Sequence, residues 1–141
     1  MDISFNHDIF IDRSANHVYE YLRKMKNYSL WNYAVLSVEP IEDSAERNTY
    51  QLKRNLGESI EIETIKILEF RLNQLLHFQA TGGRFSYEMK YNLNSVGNRT
   101  LLNNSVKMKP TGISIWFLKL FKNTIQTEVK NNLTVLKTII E

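Results

Sequence analysis

The sequence predicts an α+β fold in which a curved antiparallel sheet of six or seven strands wraps around a long C-terminal helix, with two short helices after the first strand. Residues 48 to 110 form strand-like segments in which apolar and polar side chains alternate, so each strand has one dry face. Residues from 112 to the end carry apolar side chains at helical spacing. This helix must cover the dry face of the sheet. The length of 141 residues predicts a single domain over residues 1–141.

The first elements follow from alternation and capping. Residues 2 to 12 alternate between apolar and polar side chains and predict a half-buried strand with His7 on its apolar side. Ser14 stands where an N-cap would accept backbone N–H groups of a following helix, whose apolar spacing runs to Met25. Residues 27 to 33 predict a second short helix or turn.

The middle strands are predicted with one irregularity. Residues 35 to 42 form a strand pattern. Pro40 favours a sheet edge or a strand end, because proline cannot donate a ladder hydrogen bond. In the segment after residue 59, Ile60 and Ile62 alternate with polar residues. The isoleucines at 65 and 67 fall in the opposite parity, so we expect a bulge or bend near Thr64.

The last strands and the helix complete the pattern. Residues 76 to 80 and 100 to 109 predict strands, and residues 96 to 99 a hairpin turn. Gly82 and Gly83 predict a turn rather than a phosphate-binding loop, because no helix follows at the required spacing. The two halves of the terminal helix carry their apolar faces about a third of a turn apart, which predicts a bend near residues 122 to 124. The bulky first half is expected to face the open end of the sheet. Its apolar face consists of Ile113, Trp116, Phe117, Leu120 and Phe121.

Three segments resemble one superfamily. Residues 9 to 32 (IFIDRSANHVYEYLRKMKNYSLWN) resemble the opening of the START-like, helix-grip superfamily (SRPBCC, polyketide cyclase-like). Residues 91 to 102 (YNLNSVGNRTLL) resemble its penultimate hairpin, and residues 133 to 141 (LTVLKTIIE) its closing helix. The resemblance implies the helix-grip fold. The superfamily includes lipid and sterol carriers, hormone receptors, polyketide cyclases, coenzyme Q-binding proteins and chaperone activators, so the resemblance does not select an activity.

Composition argues against several function classes. The chain has no cysteine, and its three histidines lie far apart without a metal-ligand spacing, so we expect no metal site and no cofactor. The net charge of +3 comes from scattered side chains, which argues against nucleic-acid binding. The first residues form no continuous apolar run, so we expect no signal peptide, no stable membrane insertion and a cytoplasmic location.

An internal ligand cavity is the main functional prediction. Buried tyrosine hydroxyls need partners, and the inward-facing aromatic residues supply more bulk and more hydroxyls than a dry core requires. We therefore expect a cavity of roughly 300 Å³ or more between the sheet and the helix. The predicted ligand-binding residues are Trp31, Tyr50, Arg54, Phe78, Phe85, Tyr87, Met89, Tyr91, Asn104, Trp116, Phe117 and Leu120.

The favoured function is binding or transport of a small hydrophobic ligand, such as a lipid, isoprenoid, polyketide or aromatic metabolite. No catalytic residue is assigned. Arg54 is expected to pair with a ligand carboxylate, with an internal partner or with water at the cavity mouth, and His7 is expected to be structural. One alternative is a cyclase or dehydratase-like enzyme without metal, in which His7, Arg54 or a tyrosine moves a proton. Another is a protein-interaction module of the chaperone-activator type, which predicts a solid interior and an exposed apolar patch. The sequence identifies neither the ligand nor a protein partner.

Overall fold

The computed structural model describes residues 2 to 42, 48 to 110 and 114 to 141. Seven strands form one antiparallel sheet in the order β1-β7-β6-β5-β4-β3-β2. The strands are β1 (Ile3–Ile11), β2 (Val35–Pro40), β3 (Thr49–Asn55), β4 (Ile60–Arg71), β5 (Leu75–Thr81), β6 (Ser86–Val96) and β7 (Arg99–Lys109). The helices are α1 (Ala15–Arg23), α2 (Tyr28–Trp31) after a 3-10 turn (Met25–Asn27), and α3 (Ser114–Ile140). This arrangement confirms the predicted α+β fold class.

Local signals in the sequence set several element boundaries as predicted. The Ser14 hydroxyl accepts the backbone N–H of His17 at 3.3 Å, which confirms it as the N-cap of α1. Pro40 ends β2, which pairs with β3 and forms one edge of the sheet. Gly97 adopts a φ of 62° in the turn between β6 and β7, a conformation that glycine enters without a steric penalty.

The predicted bulge near Thr64 is wrong. The β3–β4 register runs without a break from Thr49 opposite Lys66 to Asn55 opposite Ile60, and the irregularity in β4 lies between residues 67 and 69 instead. The inward parity of β4 is therefore the glutamate parity, and Glu63 is buried. Ile60 and its neighbour at 62 are exposed on the opposite face. An inward carboxylate is tolerated because it has a cationic partner on β3.

Helix α3 is anchored at its C-terminal end. The side chains of Leu133, Leu136 and Ile140 are buried against the sheet. The ammonium group of Lys137 donates to the Phe10 carbonyl at 2.8 Å. The C-terminal Glu141 accepts the Asp12 N–H at 2.7 Å through Oε2 and the Arg13 guanidinium at 3.1 Å through its backbone carbonyl oxygen. No helix in the described ranges is both long and apolar enough to cross a membrane.

The first half of α3 differs from the predicted orientation. Leu118 is fully buried, whereas Trp116 is 73% exposed and Leu120 is 77% exposed. Side chains two positions away from Leu118 lie about 200° around the helix and therefore point away from the sheet. The expectation that Trp116 and Leu120 face the open end of the sheet is wrong. The predicted start of this face at Ile113 lies outside the described residues, and the described helix is continuous through the predicted bend at residues 122 to 124.

Candidate functional site: a cavity between sheet and helix

A cavity of about 290 Å³ lies between the concave face of the sheet and α3. This volume is slightly below the one expected from the sequence and near the lower end for small-molecule sites, about 300 Å³. Its lining comes from strands β3, β4, β6 and β7, from helices α2 and α3, and from loops. Lining residues such as Phe121 and Thr124 are exposed, so the cavity opens to solvent beside the first half of α3.

A charged hydrogen-bonded cluster is the main polar feature of the cavity wall. Arg54 donates from Nε to Glu63 Oε2 at 2.6 Å and from Nη2 to Glu63 Oε1 at 3.4 Å. Arg54 Nη2 also donates to the Tyr87 hydroxyl oxygen at 2.8 Å. The Tyr87 hydroxyl in turn donates to Glu63 Oε1 at 2.8 Å. The Glu63 side chain is only 2% exposed and that of Arg54 is 21% exposed. Each member of the cluster therefore contacts the other two.

This environment keeps Arg54 charged and Tyr87 neutral. Burial raises the pKa of Tyr87 well above its ordinary value, and the neighbouring Arg54 offsets only part of that effect. Burial alone would lower the pKa of Arg54, but Tyr87 and the hydrogen bond and charge of Glu63 outweigh it and raise that pKa. At neutral pH the tyrosine hydroxyl keeps its proton and serves as a hydrogen-bond donor.

A second ion pair lies at the cavity mouth. Glu61 Oε1 accepts the Arg84 backbone N–H at 2.9 Å, and Glu61 Oε2 lies 3.7 Å from Arg84 Nε. Gly83 makes this approach possible, because a Cβ atom at that position would lie 2.1 Å from Glu61 Oε1. The Arg84 guanidinium also stacks over the Phe117 ring, 5.8 Å from its centroid.

Aromatic rings form the apolar wall beside this ion pair. The ring of Phe117 lies 5.4 Å from that of Phe85 and 4.5 Å from that of Phe121, centroid to centroid. These rings offer an apolar ligand a surface for stacking contacts. On α2, burial raises the pKa of Tyr28, which also lines the cavity.

Solved structures of known proteins share this architecture. The chain superposes on the Zhui aromatase/cyclase from Streptomyces sp. R1128 with a TM-score of 0.81, 11% identity and coverage of 99% of this chain and 94% of that one. It superposes on a START superfamily protein from Mycobacterium smegmatis with a TM-score of 0.77, 12% identity and coverage of 97% and 96%. The chain has the START-like helix-grip fold. TTHA0849 from Thermus thermophilus is also similar, with a TM-score of 0.75, 17% identity and coverage of 98% and 97%.

No family model matches the sequence, and no curated protein matches it. Identities of 11 to 17% establish the helix-grip fold and leave the ligand and the activity open.

Five of the twelve predicted ligand-binding residues line the helix-grip cavity: Arg54, Phe85, Tyr87, Met89 and Phe117. They come from β3, from β6 and the residue before it, and from α3, which the fold brings together around one opening. Arg54 therefore lies in the cavity lining, where the sequence analysis expected it. Among the partners that the sequence left open, the structure gives it an internal one, Glu63.

The other seven predicted residues do not line this cavity. Trp31, Phe78 and Tyr91 are buried in an aromatic cluster around Tyr28, with ring centroids 5.0 to 6.3 Å apart. The remaining four are not in that cluster: Tyr50 packs half-buried against the core, Asn104 is buried and donates to the Lys90 carbonyl at 3.4 Å, and Trp116 and Leu120 face solvent.

The sequence interpretation missed the acidic half of the site. Glu61 and Glu63 line the cavity, as do Tyr28 and Asn32 of the α2 region and Glu128 of α3. A signal for Glu63 was present, because an arginine in an inward parity requires a partner and the neighbouring strand offered two glutamates in one parity. The alternation of Ile60 and Ile62 concealed it.

His7 lies outside the cavity lining. Its Nε2 atom is 3.2 Å from the backbone carbonyl oxygen of Gln126 in α3, and its ring meets Phe5 edge-on at 5.9 Å. A carbonyl oxygen only accepts hydrogen bonds, so Nε2 carries the proton. This contact supports the predicted structural role. The described residues contain no group of histidines and carboxylates that could hold a metal ion.

Proposed function

We propose that this protein binds a small hydrophobic ligand in the cavity between sheet and α3. The observation that carries the proposal is a largely apolar, aromatic-walled cavity with one convergent polar cluster, the combination typical of small-molecule sites. Burial of ligand surface at about 25 cal/mol per Å² would supply most of the affinity. The Arg54–Glu63–Tyr87 cluster would orient the polar end of the ligand.

A fluorescent probe tests this proposal directly. N-phenyl-1-naphthylamine is neutral and emits strongly only in apolar surroundings, so its fluorescence should rise when the protein is added. Ile125→Trp should fill the cavity and weaken probe binding by about tenfold or more, which corresponds to about 1.4 kcal/mol. Ile139→Trp is the matched control, because Ile139 lies on the same helix and is 44% exposed.

The outcome separates a cavity ligand from surface adsorption. Unchanged binding in the Ile139 variant together with weakened binding in the Ile125 variant supports the cavity. Equal binding by both variants and the unaltered protein contradicts it. Native mass spectrometry of the protein purified from its own host would then identify the resident ligand.

A cyclase or dehydratase is the second candidate, and the convergence of Arg54, Glu63 and Tyr87 on one cavity favours it. The carboxylate of Glu63 would remove a proton next to a ligand carbonyl, and Arg54 and Tyr87 would stabilise the resulting enolate oxygen. The helix-grip fold is shared with the Zhui aromatase/cyclase. The cavity argues against the third hypothesis, an interaction module, because that hypothesis predicts a solid interior.

Turnover decides between binder and enzyme. A linear poly-β-ketone thioester should lose water in the presence of the enzyme, detected by mass spectrometry as a cyclised product. Tyr87→Phe should lower kcat by about 100-fold, the scale of a lost proton-transfer or oxyanion group. An unchanged substrate after prolonged incubation would contradict the enzymatic candidate and leave the binding proposal standing.

A further inference from the structure

The charged side chains that line the cavity include more carboxylates than guanidinium groups. Among the described lining residues there are two arginines, Arg54 and Arg84, and three glutamates, Glu61, Glu63 and Glu128. Each arginine is paired with a glutamate, at 2.6 Å in the Arg54–Glu63 pair and at 3.7 Å in the Arg84–Glu61 pair. Within the described part of the chain, Glu128 accepts a hydrogen bond only from the Tyr33 hydroxyl, at 3.1 Å. It has no cationic partner there and so contributes an uncompensated negative charge.

The cation best placed to attract an anion is already engaged. Arg54 directs Nε and Nη2 at the Glu63 carboxylate, and Nη2 also donates to Tyr87. An anionic head group could take over this bidentate geometry only by displacing Glu63, whose side chain is 2% exposed. A buried carboxylate deprived of its partner is strongly disfavoured, so displacement opposes the binding of an anion.

One donor group of the cluster is unpaired in the described part of the chain. The Nη1 group of Arg54 has no hydrogen-bond partner within the described ranges. A carbonyl or hydroxyl oxygen can accept from Nη1 without disturbing Glu63. Such an oxygen brings no net charge toward Glu63 or Glu128.

We infer that the cavity selects an uncharged ligand that carries an oxygen acceptor, a ketone or an alcohol, over carboxylates, sulfonates and phosphates of the same size. This inference rests on the proposed binding function and specifies its ligand class. It also reverses the simplest interpretation of a cavity arginine, which is an anchor for a ligand carboxylate.

Two nearly isosteric probes test the selectivity. 2-Acetylnaphthalene is a neutral ketone, and 2-naphthoate is a carboxylate that is ionised at neutral pH. Isothermal titration of the unaltered protein should give an affinity for the ketone at least about tenfold higher than for the carboxylate. Glu63→Gln, which frees the Arg54 fork, should raise the naphthoate affinity by about tenfold.

Two further variants complete the design. Glu128→Gln removes the uncompensated charge without touching the Arg54 cluster, so it should raise naphthoate affinity by about threefold or more even if Glu63→Gln fails to fold. Glu88→Gln is the matched control. Glu88 does not line this cavity; it pairs with His77 at 2.9 Å and Lys109 at 3.1 Å, so its removal should leave the ratio of the two affinities unchanged.

The possible failures are distinguishable. Naphthoate binding as tight as that of the ketone, in the unaltered protein, would overturn the charge selectivity and leave the binding function intact. An absence of binding for both probes and for N-phenyl-1-naphthylamine would overturn the binding function, and the selectivity with it.

Discussion

At the residue scale, the cavity wall depends on one buried ion pair. Arg54 and Glu63 lie on adjacent strands, and Tyr87 of β6, two strands from β4 in the same sheet, completes the cluster. Taking two charges out of water is costly, and their mutual attraction offsets this cost only when the geometry is good and the remaining hydrogen-bonding groups are satisfied. Here the tyrosine hydroxyl supplies both an acceptor for Arg54 and a donor for Glu63.

The first prediction concerns the coupling between these charges. Glu63→Gln should lower the free energy of unfolding by about 3 to 5 kcal/mol, because it leaves the Arg54 charge without a carboxylate in a largely buried position. Arg54→Met should lower the free energy of unfolding by a similar amount, because it leaves the more deeply buried Glu63 carboxylate without its cationic partner. The double variant should cost much less than the sum of the two single variants, since it leaves neither charge unpaired.

Urea unfolding of the four proteins measures this cycle. Arg23→Met and Glu20→Gln provide a control cycle, because that pair lies on the surface with side chains 51% and 38% exposed. Its coupling should fall within about 1 kcal/mol. Additive costs for the Arg54 and Glu63 variants would contradict the coupling described above.

At the element scale, the outline of the fold follows from the sequence, whereas the orientation of two elements does not. The cap at Ser14, the edge strand at Pro40 and the turn at Gly97 are local signals, and each has the predicted effect. Strand β4 departs from its hydrophobic pattern because the partner of Glu63 lies on another strand. Departures of this kind are expected where a site requires buried polar groups.

The orientation of the first half of α3 is the second feature that the sequence pattern did not predict correctly. A single helix with two apolar faces leaves open which face packs against the sheet, and only tertiary packing decides. Leu118 takes the inward position, which turns Trp116 and Leu120 to solvent and leaves Phe117 at the cavity. Five of the predicted binding residues were therefore placed around the cavity by strand parity and helix position, and the acidic residues were missed.

The second prediction concerns the contact between β1 and α3. His7→Ala should lower the free energy of unfolding by about 1 to 2 kcal/mol, because it removes one hydrogen bond to Gln126 and part of the ring packing. Probe affinity should change by less than about threefold, since His7 does not line the cavity. His17→Ala is the control, because that histidine is exposed on α1. A loss of binding or turnover of about 100-fold in the His7 variant would assign this residue a role in catalysis.

At the scale of the whole molecule, the helix has one fixed end and one less constrained end. Buried leucines and the contacts of Lys137 and Glu141 hold the C-terminal half to β1 and the turn that follows it. The half that borders the cavity packs fewer buried side chains, with Leu118 the exception among exposed neighbours. Regions with few buried contacts open at lower free energy than the rest of a structure. The cavity mouth is thus bounded by the part of the helix that opens most easily.

The last prediction is a gradient of amide hydrogen exchange along α3. Amides of residues 117 to 125 should exchange at least about tenfold faster than those of residues 130 to 139, which corresponds to a difference in opening free energy of about 1.4 kcal/mol. Saturation with N-phenyl-1-naphthylamine should slow exchange in the first segment more than in the second, because Phe117, Phe121 and Ile125 line the cavity. The Ile125→Trp variant should lose this response to the probe. Uniform exchange along the helix, or equal protection of both segments by the probe, would contradict a binding site beneath the first half of α3.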